Sequence, residues 1–424
     1  MSRRGFGALA GAGAAALILP GSTACAAPAQ APGASAPATG ADPAARSSRT
    51  GSAPAAPVSR EAGSAPASRA AGPALRSAYL GTYTTNPGGG KGIGLASYRA
   101  GEGGLTSSGV LGGVANPSYL ALSPDRRTLY AVNEQAEGAV TAVRIGDAGE
   151  PPRGLGSRGT GGADPCHVSV HPGGRFLLSA NYTGGSVAVH PIGRDGAPGE
   201  VADVVRHTGS GPDPERQQGP HAHMVLPDPA GRYVLAVDLG TDSVYTYRLD
   251  ERKGKLRECG RAATRPGAGP RHLAFHPSGK YAYLVNELDN TLVVCGYDAR
   301  TGALEPGTPQ ATLPSGTELS ERNYPAGVIV SADGRFVYVS NRGHNSIAHF
   351  AVQRGGAELR LLWVTQSGGA YPRHIVLDPA GTLLFAANQK SGAVTTFRID
   401  RRTGRLTSAG APLAVPVPVC VLPL

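Results

Sequence analysis

The stretch Gly269-Pro270-Arg271-His272-Leu273-Ala274-Phe275-His276-Pro277-Ser278-Gly279-Lys280-Tyr281-Ala282-Tyr283-Leu284-Val285-Asn286-Glu287 decides the fold. Two short apolar runs flank a Pro-Ser-Gly turn, which predicts a β-hairpin. The same grammar appears at Asn116-Pro117-Ser118-Tyr119-Leu120-Ala121-Leu122-Ser123-Pro124-Asp125, which runs on to Asn133-Glu134. Further copies start at Pro165, Pro220, Pro325 and Pro372, and a degenerate last one at Pro416. Seven units thus follow one another at spacings of 48, 55, 50, 55, 47 and 44 residues, a period typical of repeat architectures.

Each unit adds a third run after a Gly/Ser turn, as in Gly392-Ala393-Val394-Thr395-Thr396-Phe397, and a poorer fourth after a Gly-x-Leu step, as in Gly404-Arg405-Leu406. Four short strands make one antiparallel sheet that cannot cover both of its faces alone. Radial stacking covers them. The expected fold is all-β: a seven-bladed β-propeller of four-stranded antiparallel blades. The last unit has one strand, Val417 to Leu422, and the chain start has the missing ones, Ala78 to Tyr83, Gly92 to Tyr98 and Gly104-Leu105. The last blade is therefore expected to be closed by N- and C-terminal strands.

Residues 1–27 read as a signal peptide. Ser2-Arg3-Arg4-Gly5-Phe6-Gly7 resembles a twin-arginine motif, and the apolar stretch Ala8 to Leu19 is too short and Gly-rich to span a membrane. Cleavage at Ala24-Cys25-Ala26 and lipid attachment at Cys25 both fit the sequence. Residues 28–76, almost all Ala, Pro, Ser, Gly, Thr and Arg, are expected to form a disordered linker. Residues 77–424 are then the propeller, in an exported chain that is secreted or held at the cell envelope.

The net charge of +10 owes about half its excess to the first 76 residues, which hold seven Arg against two acids. The remainder forms no Lys/Arg run, which argues against nucleic-acid binding. A mildly basic site for small anionic molecules is compatible with this charge. The five cysteines form no CxxC pair. Cys166, Cys259, Cys295 and Cys420 read as free buried thiols, and the domain as a monomer. No metal set and no cofactor motif is evident.

Residues just before the first strand and just after the second share one face of each blade. The pairs are Ser118 with Glu134, His167 with Asn181 and Tyr182, His223 with Asp238, Arg271 and His272 with Glu287, Ala326 with Asn341 and Arg342, and Arg373 and His374 with Gln389. The strand-end Asn residues read as turn formers. The ionisable groups at these positions differ from blade to blade, which points to a site at one mouth of the central channel. Candidate substrate-binding residues are His167, His221, His272, Arg373, His374 and Gln389, with His221 and His223 alternating on one strand.

The Gly269-to-Leu288 segment, Gly219-Pro-His-Ala-His-Met224, Val339-Ser-Asn-Arg-Gly343 and Tyr371-Pro-Arg-His374 resemble the lactonase-type seven-bladed propeller family. That family includes bacterial 6-phosphogluconolactonase and the fungal carboxy-muconate cyclase. The resemblance covers residues 77–424. It implies a lactone hydrolase whose catalytic residues, carried over by motif, are His223, Arg271, Glu287 and Arg342. His223 or Glu287 would be the general base. His223 is favoured, because Arg271 beside Glu287 lowers a carboxylate's basicity. The arginines would hold the carbonyl oxygen or an anionic group. The leader argues that the substrate is not the phosphorylated intracellular sugar lactone. Lactone formation on a muconate-type acid and a non-catalytic surface scaffold are the rival readings.

Overall fold

The computed structural model describes residues 74–146 and 150–424. The leader, Cys25 and nearly all of the linker lie outside the described residues. Seven antiparallel sheets follow one another in the chain. Blade I spans residues 120–159, blade II 165–206, blade III 222–263, blade IV 270–311, blade V 324–366 and blade VI 372–414. Blade VII joins the C-terminal strand Pro418–Pro423 to Leu75–Thr82, Gly92–Arg99 and Leu105–Gly112. Its first strand begins at Leu75, so Leu75 and Arg76 belong to the sheet and not to the linker. The outer edge of blade VI is broken into Leu406–Ser408 and Leu413–Ala414. One 3-10 turn, Arg354–Gly356, is the only helix among the described residues.

Alternating residues on the middle strands bury both faces of each sheet between neighbouring blades. Tyr283, Val285 and Leu292 of blade IV pack on Val328, Val337, Val339 and Phe350 of blade V. Closure uses the same packing: Val421, Ala78 and Leu80 of blade VII lie against Leu383, Phe385 and Ala387 of blade VI. Tyr79, Ile93 and Cys420 meet Leu120, Leu129 and Val143 of blade I. Cys166, Cys295 and Cys420 are buried free thiols as expected, while Cys259 is half-buried.

The start of each innermost strand is irregular in a repeated way. In blade IV, Pro270 pairs with Asn286 and His272 with Val285, leaving Arg271 as the extra residue of a β-bulge. The same slip isolates Cys166 in blade II, His223 in blade III and Arg373 in blade VI. Val419 is skipped in blade VII, and two residues, Ala326 and Gly327, in blade V. In blade I, Glu134 N–H donates to Asn116 O as Glu287 N–H donates to Gly269 O, which puts Ser118 in the equivalent place. A bulge re-aims one side chain without moving the strand. The residue two before the bulged one has positive φ in five blades: Asn116 (40°), Asp164 (51°), Gly269 (60°), Tyr371 (67°) and Val417 (40°). Such backbone suits Gly or Asn, and it costs energy at Tyr and at β-branched Val.

Blade III departs from the sequence reading. Ala222, not Pro220, occupies the place of Pro270, because Ala222 is the residue paired with Asp238 ahead of the bulge. His221 therefore precedes the strand and does not alternate with His223 along it.

If the terminal strand closes the ring through these contacts, Val421→Asp buries an unpaired carboxylate between two blades. A stability loss of about 3 kcal/mol or more is expected, read by urea unfolding. A loss below about 1 kcal/mol, the level of an ordinary point mutation, would contradict closure by this strand.

Candidate active site

Six of the seven bulged side chains, Ser118, Cys166, His223, Arg271, Arg373 and Val419, line one narrow cavity of about 10 Å3. Tyr119, Glu134, His272 and His374 complete its wall. Residues from six of the seven blades therefore meet in one space at the strand ends where the expectation put them.

The polar residues form two groups. In the first, Glu287, 3% exposed, receives three arginines. Arg342 Nη2 lies 2.5 Å from Oε2, Arg271 Nε 2.9 Å from Oε2, and Arg216 Nη2 2.7 Å from Oε1. The Arg271 contact is an ion pair out of line for a hydrogen bond, since its Nε has no hydrogen-bond acceptor. Arg271 Nη1 donates to Ala326 O at 2.8 Å. Arg342 donates also to Tyr324 O from Nε (3.0 Å) and to Pro325 O from Nη2 (3.3 Å). Arg216 also reaches the Tyr182 hydroxyl at 3.1 Å. Among the described residues, Arg271 Nη2 has no protein partner.

In the second group, Glu134 Oε1 accepts from the Tyr83 hydroxyl at 2.8 Å and lies 3.8 Å from Arg373 Nη2. Arg373 stacks over the Tyr83 ring at 5.6 Å and donates no hydrogen bond among the described residues. Between the groups stand four imidazoles. His223 lies edge-on to His272 at 5.2 Å, and His272 to His167 at 5.7 Å. Tyr119 packs on His167 at 4.2 Å and on His374 at 5.5 Å.

This crowding sets the protonation states. Burial, then Arg271, Arg373 and Arg342, hold His223 well below the ordinary histidine value of 6.5. Burial, then Arg271 and the other imidazoles, does the same to His272. Burial, His374 and Arg271 bring His167 to about 3, and burial with Arg271 brings His374 to about 4. All four are neutral at pH 7. His167 and His374 accept backbone N–H groups at Nδ1 from Val225 (3.5 Å) and Val421 (3.3 Å), which fixes the Nε2–H tautomer. Burial alone would raise Glu287, but Arg342, Arg271 and Arg216 outweigh it and hold it far below the carboxylate range. Glu287 is thus no proton acceptor at neutral pH. Burial and Arg342 pull Arg271 down to about 9, still charged at pH 7. Burial raises the Cys166 thiol, so it stays protonated although its Sγ lies 3.7 Å from His223 Nδ1.

Of the residues expected at the site, His223, Arg271, His272, Arg373 and His374 line the cavity. His167 stands behind Tyr119 and against His272. Glu287 and Arg342 lie behind Arg271 and fix it. Gln389 follows the second strand of blade VI, with a buried, unpartnered Oε1. His221 does not line the cavity: it stacks on Tyr182 at 4.6 Å, with Nδ1 3.1 Å from Tyr182 O. The sequence reading missed Tyr83, Tyr119 and Arg216 as site residues. Arg216 sits in the 207–221 connection, and the only hint of that segment was the long 55-residue spacing. Among the described residues, no group of three or more His, Cys, Asp or Glu could hold a metal ion.

A seven-bladed ring with charged side chains bulged into its axial cavity defines a recognised class. The family model described as "Lactonase, 7-bladed beta-propeller" matches residues 77–423, and the chain belongs to that family. It is 38% identical over 344 residues to the 6-phosphogluconolactonase of Bacillus subtilis, covering 81% of this chain and 97% of that protein. A solved protein from Lactobacillus plantarum is similar with TM-score 0.77 and 35% identity, over 83% of this chain and 100% of the other. The periplasmic gluconolactonase of Pseudomonas aeruginosa is similar with TM-score 0.77 and 31% identity, over 83% and 99%.

Acid should destabilise the fold through the imidazoles. Their folded pKa values lie below the unfolded value, so the unfolded chain binds more protons below pH 6.5. Their stabilising contribution is complete above pH 6.5. It falls as pH drops toward 3, by about 1.4 kcal/mol per pH unit for each imidazole. Urea unfolding at pH 7 and pH 5 measures the slope. The double variant His167→Gln, His374→Gln should lower it by between one and two protons; an unchanged slope would show that these imidazoles are not held neutral.

Proposed function

We propose that this protein is a lactone hydrolase acting on a sugar lactone met outside the cell. The observation that carries this reading is the pairing, in one cavity, of neutral His223 with the unpartnered Nη2 of Arg271. A neutral imidazole accepts a proton from water, and a fixed guanidinium edge stabilises the oxyanion that forms. The names of the Bacillus and Pseudomonas relatives support the reaction class. A leader at residues 1–27, as the sequence reads, would favour a substrate other than a phosphorylated cytosolic sugar.

In the reaction, a water oxygen bonds to the lactone carbonyl carbon while His223 takes the water's proton. The carbonyl electron pair moves onto the oxygen facing Arg271. Collapse breaks the ring C–O bond, and the imidazolium returns its proton to the leaving alkoxide. The product is an open hydroxy acid. Glu287 holds Arg271 in place between Arg342 and Arg216, as a positioning residue and not as the base. An anionic substrate or oxyanion near Arg271 and Arg373 offsets the cations that depress His223, which strengthens the base when it is needed. A surface scaffold has no use for four buried imidazoles and three arginines gathered on one carboxylate, each of which costs folding free energy.

Hydrolysis of sugar lactones, with and without phosphate, by the purified full chain tests the reading. Arg271→Ala should lower turnover by about a hundredfold or more, as loss of an oxyanion donor does. His223→Asn should lower it by about 10²–10⁴-fold. Near-wild-type rates in either variant would remove that residue from the mechanism. The acid limb of kcat/KM should fall well below pH 6.5; a limb at the ordinary histidine value would contradict His223 as the base.

A further inference from the structure

Two polar atoms in the cavity wall of blade I are buried without a partner: Ser118 Oγ and Glu134 Oε2. They occupy the bulge and post-strand positions that in blade IV carry Arg271 and Glu287. Blade I stands three blades round the ring from blade IV, so these atoms face the catalytic groups across the axis. A buried carboxylate oxygen left unsatisfied is costly. Glu134 cannot turn to relieve it, because its other oxygen is held by the Tyr83 hydroxyl at 2.8 Å with Arg373 at 3.8 Å.

The chemistry of Oε2 restricts its ligand. It only accepts, so the group that satisfies it must donate. A hydroxyl does so; the carboxylate of a second acid does not, and is repelled. Ser118 can accept from or donate to a neighbouring hydroxyl. We propose that Glu134 and Ser118 form a hydroxyl-reading subsite, the residues by which the site selects a hydroxylated lactone ring over a bare one. Hydroxyl-free lactones and polycarboxylates are disfavoured. This rests on the lactonase reading and names the residues that set the specificity of the same site. It also separates hydrolysis of a sugar lactone from cyclisation of an unsaturated dicarboxylate, whose carboxylates would meet Glu134.

The test compares glucono-δ-lactone with δ-valerolactone, which has the same ring without hydroxyls, using the full chain. The wild type should prefer the hydroxylated ring. In Glu134→Met the ratio of kcat/KM values should fall by about tenfold or more, the worth of one charged hydrogen bond. Arg271→Ala should lower both rates together and leave the ratio in place. If Glu134→Met fails to fold, Ser118→Ala reads the same ratio, and a fall is again expected. An unchanged ratio overturns the subsite. If the wild type hydrolyses neither lactone, the hydrolase reading fails, and calorimetry with gluconate decides the subsite alone. Gluconate binding that weakens about tenfold in Glu134→Met sustains it, whereas no binding to the wild type, or equal binding of cis,cis-muconate, overturns it.

Discussion

An irregular start to the innermost strands governs this molecule. A regular strand alternates its side chains between the two blade interfaces, and a propeller needs both for apolar packing. Only a break in that alternation frees a side chain for the axis. The break recurs round the ring, and the cavity on the axis receives Ser118, Cys166, His223, Arg271, Arg373 and Val419. Closure and chemistry depend on the same device, since Val419 is the bulged residue of the strand that completes the ring.

The device has an energetic cost. Tyr371 and Val417 sit at positive φ two residues before Arg373 and Val419, where Gly would relax the backbone. The axis then gathers Arg271, Arg342, Arg216 and Arg373 around Glu287 and Glu134, with four imidazoles forced neutral. A buried ion pair seldom repays its desolvation, and an excess of cations repays less. The ring tolerates this because the blade interfaces are continuous and apolar from Ile93 round to Phe397. In the proposed reaction, an oxyanion or an acid product would relieve the uncompensated positive field.

The fold was legible because its grammar repeats. Pro and Gly turns at near-constant spacing, with a partial last unit, suffice to specify seven blades and their closure. The site was legible only as a location. Residues adjacent in sequence, such as Arg271 and His272, look equivalent until the bulge separates them, and Pro220 looked like the start of a unit that begins at Ala222. Glu287 read as a possible base, yet three guanidiniums exclude it, and the third comes from Arg216 in a connection outside the repeat. Tyr119 looked like any strand aromatic, although it seats His167 and His374 around the cavity. Contacts made between blades leave no trace in the spacing within one.

A crystal structure of the full chain with gluconate, the ring-opened acid, examines the central claim most directly. The account requires the ligand on the axis, its carboxylate within hydrogen-bond distance of Arg271 and His223, and a hydroxyl on Glu134. Gluconate bound outside the ring of bulged residues, or bulge side chains turned away from the axis, would contradict it.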